Sequence, residues 1–412
     1  MRHIYIRTFA YNAEKTLERA VDSILNQTYP YFTYYLLDNG STDKTRQLIE
    51  MYAAKDNRIV PFYTNKNMEF GIEHEDFIKL PKNIPDNDLF CVLDADDEYE
   101  PNFFDDAVKF LEENKLDIVC CGSRFINSVD GSLLGKRSLN EPVIIEGRGF
   151  AELFPYYHVF MRTVWGKLAA GNCVRNFVTK RDPNDKSVPD YGIDTWDMIS
   201  AFRCATRIGI MPGQAHRYYI SPKSSSYYLS SKRIVSDKLL YEATVDYLKQ
   251  YGAISHRNWD FIYAVYMNAL KDTLNVLLNV KISVSEKLRG LVEMLTCDYT
   301  RQLAAWDNFG AYIGQAKEMQ HTRTEFFIKV ANWLLELENV PDEQVEDFCD
   351  IGEFVCAAVE FSDGWIFFKK QRVSYLIEQR RSDEARDKLR ELEELLPYDE
   401  DVLTFGKILN NL

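Results

Sequence analysis

Leu89-Phe90-Cys91-Val92-Leu93-Asp94-Ala95-Asp96-Asp97-Glu98-Tyr99 is the stretch on which the reading of the fold turns. An apolar run ends abruptly in three carboxylates within four positions. The run is short, apolar and bounded by polar residues, which predicts a fully buried strand. Asp94, Asp96 and Asp97 then sit at its carboxyl end, and Pro101 stands close to the start of a following helix. Carboxylates this close repel one another unless a cation lies between them. Hard oxygen ligands suit Mg²⁺ or Mn²⁺, ions that commonly bridge to phosphates. In open α/β sheets, ligands bind beyond the carboxyl ends of the strands. A metal–diphosphate site is one reading of this stretch. An acidic turn that merely solvates a strand end is the other, and the stretch alone leaves both open.

The flanking pattern supports a sheet. Strands are predicted at 4–9, 34–37, 59–63 and 117–121, with helices at 13–26, 45–54, 73–80 and 102–113 between them. Strands alternating with helices of this length predict a mostly parallel sheet with right-handed crossovers. From 123 to 228 the pattern is less regular. Residues 124–129 and 132–135 read as a hairpin around Asp130-Gly131. A strand at 143–146 and a short helix at 149–154 follow. Residues 175–189, rich in Arg, Asp, Asn and Pro, read as a mobile lid. An amphipathic helix is expected at 194–206. Beyond about residue 230 the chain reads as almost all helix: 236–250, 259–278, 285–303, 311–337 and 343–361. Residues 365–412 resemble a single tetratricopeptide-like hairpin, with Tyr375, Ala385, Leu389 and Pro397 at suggestive spacing. A single copy lacks the stacked neighbours such a repeat needs, so an ordinary helical hairpin is the favoured reading. The division is thus an α/β domain over 1–230 and an all-α domain over 231–412.

Composition narrows the function. A chain of 412 residues exceeds one ordinary core. Its formal charge of −14 argues against nucleic-acid binding. The eight cysteines form no Cys-x-x-Cys pair, which suits a reducing cytoplasm. Met1–Arg7 reads as lacking a signal-peptide core, and no window approaches the roughly 18 apolar residues of a membrane span. The histidines show no zinc-ligand spacing, and no Gly-x-Gly-x-x-Gly or P-loop is present.

Three further segments carry chemistry. They are Tyr11-Asn12-Ala13-Glu14-Lys15, Ser23-Ile24-Leu25-Asn26-Gln27-Thr28-Tyr29 and Asp38-Asn39-Gly40-Ser41-Thr42-Asp43. Asp38 ends a strand, where a carboxylate can accept a uracil N–H. Gly40 permits the turn, and the next helix N-terminus favours anions. Simple helix capping by Asp38 and Ser41 fits as well. Together with Leu93-Asp94-Ala95-Asp96-Asp97, these segments resemble the inverting family 2 glycosyltransferases of the metal-dependent GT-A fold, over about residues 4–226. The resemblance implies a Rossmann-like catalytic domain and roles for named residues. Thr8, Phe9 and Tyr11 would line the donor nucleobase. Asp38 would bind uracil, and Asp94 the ribose or the metal. Asp96, with Asp97 close by, would hold Mn²⁺ or Mg²⁺. Trp165 and Lys167 would lie near the acceptor, and Asp194, in Tyr191-Gly192-Ile193-Asp194, would be the base. Asp190 and Asp197 are its neighbouring rivals.

The sequence departs from the family pattern in places. Ala10 stands where a hydroxyl residue is usual, Asn39 where a second acid is usual, and Ile193 where Glu precedes the base. The Arg that usually touches uracil is not recognisable at 65–80, where Lys66, His74 or Lys79 is a candidate substitute and none is favoured. The cation for the diphosphate is displaced to 216–226, where Lys223 is favoured and Arg217 is the neighbour. The implied reaction moves a sugar from a nucleotide donor, a UDP-sugar, to a glycan or lipid-linked acceptor in bacterial surface-glycan synthesis. The location expected is cytoplasmic, with a place at the inner face of the membrane, peripheral membrane association and self-association left open. The alternatives are an inactive sugar-nucleotide binder whose helical domain mediates interactions and, last, a nucleotidyltransferase.

Overall fold

Strand β1 (Ile4–Ala10) is the spine of the first half of the chain. Ile4 and Ile6 are fully buried, and the strand lies between two parallel partners. On one side is β2 (Phe32–Asp38); on the other is β4 (Leu89–Val92), in which every residue is buried. Burial on both faces is what an uninterrupted apolar run encodes in a parallel sheet. In this computed structural model the described residues are 1–67, 80–177, 187–220 and 233–412. They form two units, Met1–Ile254 and Ser255–Leu412.

The first unit is a mixed sheet with helices. Its other strands are β3 (Ile59–Tyr63), β5 (Glu98–Tyr99), β6 (Ile118–Asn127), β7 (Leu133–Arg137), β8 (Val143–Glu146), β9 (Lys167–Ala170) and β10 (Arg207–Ile220). The order is β3-β2-β1-β4-β9-β6-β10-β5, with β7 on β6 and β8 on β10. The α/β reading holds, and the sheet is parallel from β3 to β4 as predicted. Strand β9 then runs antiparallel between β4 and β6. Helix Leu17–Leu25 buries Leu17, Ala20, Val21 and Ile24, the spacing of one helical face. Helix Phe103–Asn114 does the same with Phe103, Phe104, Ala107, Val108 and Leu111. Both faces close on the core built by Ile4, Ile6, Leu36, Leu89 and Leu93.

Two differences from the predicted elements bear on the site. The strand at 117–121 and the first hairpin strand are one continuous strand, β6, bent back at Asp130-Gly131. Strand β10 was not predicted at all. Pro212, Gly213 and two register shifts break its alternation, and polar His216 and Arg217 break its apolar pattern. The predicted helix at 73–80 and most of the lid at 175–189 lie outside the described residues. The first unit continues beyond residue 230, because helix Arg233–Lys249 packs on helix Ile193–Cys204.

The second unit is all helix among its described elements. Helix His256–Asn279 starts at Ser255, whose hydroxyl accepts the Asn258 N–H. Helix Val284–Thr296 opens on a full capping box, Ser283 with Glu286. The predicted helix at 285–303 is broken at Cys297, after which Asp298–Ala304 is a separate helix. Helices Val345–Ala358, Ser362–Glu378, Ser382–Leu395 and Glu400–Asn410 pack in succession. Ala385 and Leu389 sit in a small core with Val373, Leu376 and Val402. No helix among the described residues is long and apolar enough to cross a membrane.

Candidate active site

The carboxyl ends of β1, β2 and β4 are tied together before any ligand is considered. Thr8 on β1 donates its hydroxyl to the Leu93 carbonyl at 2.6 Å and accepts the Tyr34 hydroxyl at 3.0 Å. It is fully buried, and both of these hydrogen bonds hold the strand end. The rings of Phe9 and Tyr11 are the exposed ones here, at 41% and 46%. Asp38 ends β2 almost fully buried, and its Oδ1 accepts the Ser41 N–H at 3.0 Å.

The loops after β1 and β2 interlock. Thr42 N–H donates to Asn12 Oδ1 at 2.9 Å, and Asn12 N–H to Ser41 Oγ at 2.9 Å. Glu14 N–H donates to Asp43 Oδ2 at 3.0 Å, while Lys44 N–H donates to Glu14 Oε2 at 3.1 Å. Asp43 also takes both the N–H and the hydroxyl of Thr45. Gly40 has φ +71°, and a Cβ there would lie 2.2 Å from the Lys66 carbonyl carbon. Only glycine fits a left-handed turn pressed against backbone. Lys66 thus lies beside the loop. His74 and Lys79 lie outside the described residues.

The acidic stretch divides its labour. The Asp97 side chain is fully buried. Its Oδ1 accepts the Tyr219 N–H at 2.9 Å, and its Oδ2 lies 3.2 Å from His216 Nε2 without a well-directed hydrogen bond. Burial pushes Asp97 well up and His216 well down, each toward its neutral form. Asp97 was expected to ligate metal with Asp96. Its oxygens instead face β10. Asp94 is also held well above the usual carboxylate range, by burial and then by the charges of Asp97, Asp194 and Asp96. Asp96 is half-buried and raised by burial, and the Arg19 guanidinium donates to its carbonyl. Tyr218 reports the convergence: burial, then Asp97, Asp94, Asp96 and Asp194, push its phenol up to about 12. Among the described residues, no three His, Cys, Asp or Glu side chains gather into a ready metal cage. Mg²⁺ and Mn²⁺ commonly need only one or two protein carboxylates plus substrate phosphates. Mutually repelling Asp94 and Asp96 fit that mode.

Trp165 and Lys167 are both buried. The Trp165 indole stacks on His216 (4.4 Å, 22°) and on Tyr218 (5.1 Å, 23°). Arg137 lies over its ring at 4.7 Å. Lys167 Nζ donates to the carbonyls of Thr163 (2.6 Å) and Trp165 (3.0 Å), and burial pulls it down to about 8. Trp165 therefore packs against the His216 that faces Asp97, while Lys167 pins the backbone of the turn that carries Trp165.

Asp194 occupies the first turn of helix Ile193–Cys204, which starts after Gly192 at φ +72°. Its charge reaches Asp94, Tyr218 and the buried Arg7 of β1. Its rivals are placed differently. Asp190 accepts the Ser236 hydroxyl at 3.0 Å. Asp197 is buried, and its charge is the largest that steadies Arg7. Arg217 is held by Glu98 (3.1 Å) and Glu100 (2.9 Å). Lys223 lies outside the described residues.

Sequence reasoning missed Arg7, Arg19 and the Asp97–His216–Trp165 stack. A charge inside an apolar strand, Ile6-Arg7-Thr8, was the available signal for Arg7. Arg19 gave none: it sits on a helix and covers Tyr219 at 3.6 Å, beside Glu98 at 3.2 Å.

Residues 6–187 match the family model described as glycosyl transferase family 2. This part of the chain is a family 2 glycosyltransferase domain. The domain is similar to an uncharacterized glycosyltransferase of Methanocaldococcus jannaschii, with 30% identity over 29% of this chain and 41% of that one. It is also similar to TuaG of Bacillus subtilis, named for teichuronic acid biosynthesis, with 25% identity over 32% of this chain and 51% of that one. The chain thus spans about half the length of these relatives or less. Among solved structures, S. aureus TarS 1-349 in complex with UDP-GlcNAc aligns over 99% of this chain and 90% of that one, with 14% identity and a TM-score of 0.44.

Proposed function

We propose that the chain transfers a sugar from a nucleotide-sugar donor, a UDP-sugar, to a hydroxyl of a glycan or lipid-linked acceptor, with inversion at the anomeric carbon. The convergence of Asp94, Asp96 and Asp194 on Tyr218, at the carboxyl ends of β1 and β4, carries this reading. Asp38 and the exposed rings of Phe9 and Tyr11 receive the nucleobase, held on a floor that Thr8 keeps rigid. Asp96, with Asp94 beside it, holds a divalent cation, which when bound neutralises the leaving diphosphate. Asp97 braces Asp96 against β10 instead of ligating. Asp194, whose charge acts on Asp94 and Tyr218, accepts the proton of the acceptor hydroxyl. Lys223 is retained as the cation for the diphosphate. The name of TuaG supports a product in the bacterial surface-glycan class.

The test is donor hydrolysis. Purified protein with Mn²⁺ is incubated with UDP-, GDP-, CMP- and dTDP-sugars, beside Asp96→Ala and a chelated control. Release of UDP from one donor, lost in both controls, supports the reading. Failure to bind or cleave any donor overturns it.

A further inference from the structure

Five aromatic rings in the helical unit are arranged side by side, four of them partly in water and the fifth, Tyr263, buried between them. Trp259 and Tyr263 on helix His256–Asn279 stack at 5.9 Å and 26°. Tyr263 meets Trp306 at 5.0 Å. Trp306 lies 6.4 Å from His256, and His256 lies 5.4 Å from Tyr312, both at 31°. His256, Trp259 and Tyr263 share one helical face by their spacing. The neighbouring stripe of the same helix, Ile262, Tyr266, Met267 and Leu270, is the one that fills the core. Apart from Tyr263 the rings are not core: Tyr312 is 50% exposed, His256 is exposed, and Trp259 and Trp306 are half-buried.

The platform is also held rigid. The Asp260 carboxylate, fully buried beneath it, accepts the Trp306 indole N–H (3.2 Å) and the backbone N–H groups of Gly310 (2.7 Å) and Tyr312 (2.8 Å). Arg323 holds the Trp306 carbonyl at 2.8 Å. The loop between the rings runs through Asn308 at φ +54° and Gly310 at φ +85°, where a Cβ would strike Gln315 and Met319. A buried Asp side chain and two left-handed residues are thus committed to one loop shape. That shape presents Trp306 and Tyr312 next to His256, with Asp307 and Asn308 exposed at the rim.

From this geometry we infer that the platform is a glycan-binding site, taking a neutral pyranose chain across its ring faces. Aromatic faces take the C–H side of a sugar ring, and the polar tips and rim take its hydroxyls. A rigid aromatic anchor loses little conformational freedom on binding. The formal charge of −14 disfavours a polyanionic chain. The inference rests on the proposed reading that the catalytic domain acts on glycans, and it assigns the helical unit the role of holding acceptor or product.

The probes are four neutral soluble polysaccharides, hydroxyethylcellulose, glucomannan, galactan and dextran, cast separately into native gels. At least one should retard the full chain, and Tyr312→Ala should weaken the apparent affinity by about two- to tenfold. Tyr312→Phe should retain it, because the face and not the hydroxyl is used. Trp306→Ala should abolish retardation, and its thermal melt shows whether the unit still folds. No retardation by any of the four, or retardation unchanged in Tyr312→Ala, overturns the site. Donor hydrolysis measured in the same preparations separates the two ideas. Hydrolysis without glycan binding sinks the platform and leaves the catalytic reading standing. Glycan binding without hydrolysis does the reverse.

Discussion

His216 Nε2 lies 3.2 Å from Asp97 Oδ2, and neither side chain has any contact with water. This pair joins the acidic turn after β4 to the middle of β10. Asp96, one residue earlier, stays half in solvent. Adjacent aspartates in one turn therefore face different demands, and that separates them experimentally.

Asp97→Ala should destabilise the protein by roughly 2–4 kcal/mol, because the Tyr219 N–H loses its acceptor and His216 its partner. Asp96→Ala should leave the melting temperature nearly unchanged while removing donor turnover. Thermal melts beside UDP release read both. A stable Asp97→Ala would show that the pair is not structural.

Asp194→Asn should lower transfer by roughly 10²–10⁴-fold with donor affinity retained, as for loss of a general base. Asp190→Asn should keep most activity, because Asp190 is engaged by Ser236. Turnover and donor binding are measured on both. Equal losses in the two variants would remove Asp194 from its role.

Thr8→Val should cost roughly 1–3 kcal/mol of stability, since the Tyr34 hydroxyl loses its acceptor and the Leu93 carbonyl its donor. If Thr8 only supports the strand, nucleotide preference does not change. Competition by UDP, GDP and CDP is the readout. A switch in preference would put the hydroxyl on the base after all.

His158 is buried, and burial lowers its imidazole to about 3. The unfolded chain, near 6.5, binds the proton first. Between those values the unfolded state holds more protons, so stability rises with pH and is flat above about 6.5. His158→Phe should remove a slope of up to about 1.4 kcal/mol per pH unit from pH 4 to 6. Denaturant midpoints across that range check it. An unchanged slope would place the acid lability elsewhere.

How far the chain could be read depended on whether each signal was local. Leu89–Val92 announced a buried strand because both its faces are apolar, and Asp94–Asp97 announced its carboxyl end. Asn12, Glu14 and Asp43 were visible as motifs, although their mutual hydrogen bonds were not. Strand β10 was illegible because its pattern is set by partners: Arg217 pairs with Glu98 and Glu100, and His216 is buried among Asp97, Tyr99, Ser123 and Trp165. Trp165 and Lys167 were seen as a pair, but their burial depends on β9 being inserted between β4 and β6. No spacing in the sequence encodes that insertion.

The bond from Tyr219 to Asp97 spans 122 residues of chain. During synthesis at about 5–20 residues per second, the acidic turn emerges roughly 6–24 s before the strand that completes it. For that interval Asp97 has neither His216 nor Tyr219, and it remains hydrated and charged. The acidic turn is therefore finished late, by strand β10, which lies beyond β9 and β6 in the sheet. A ribosome stalled between these two points would carry strands β1 to β4 with the acidic turn still open to water.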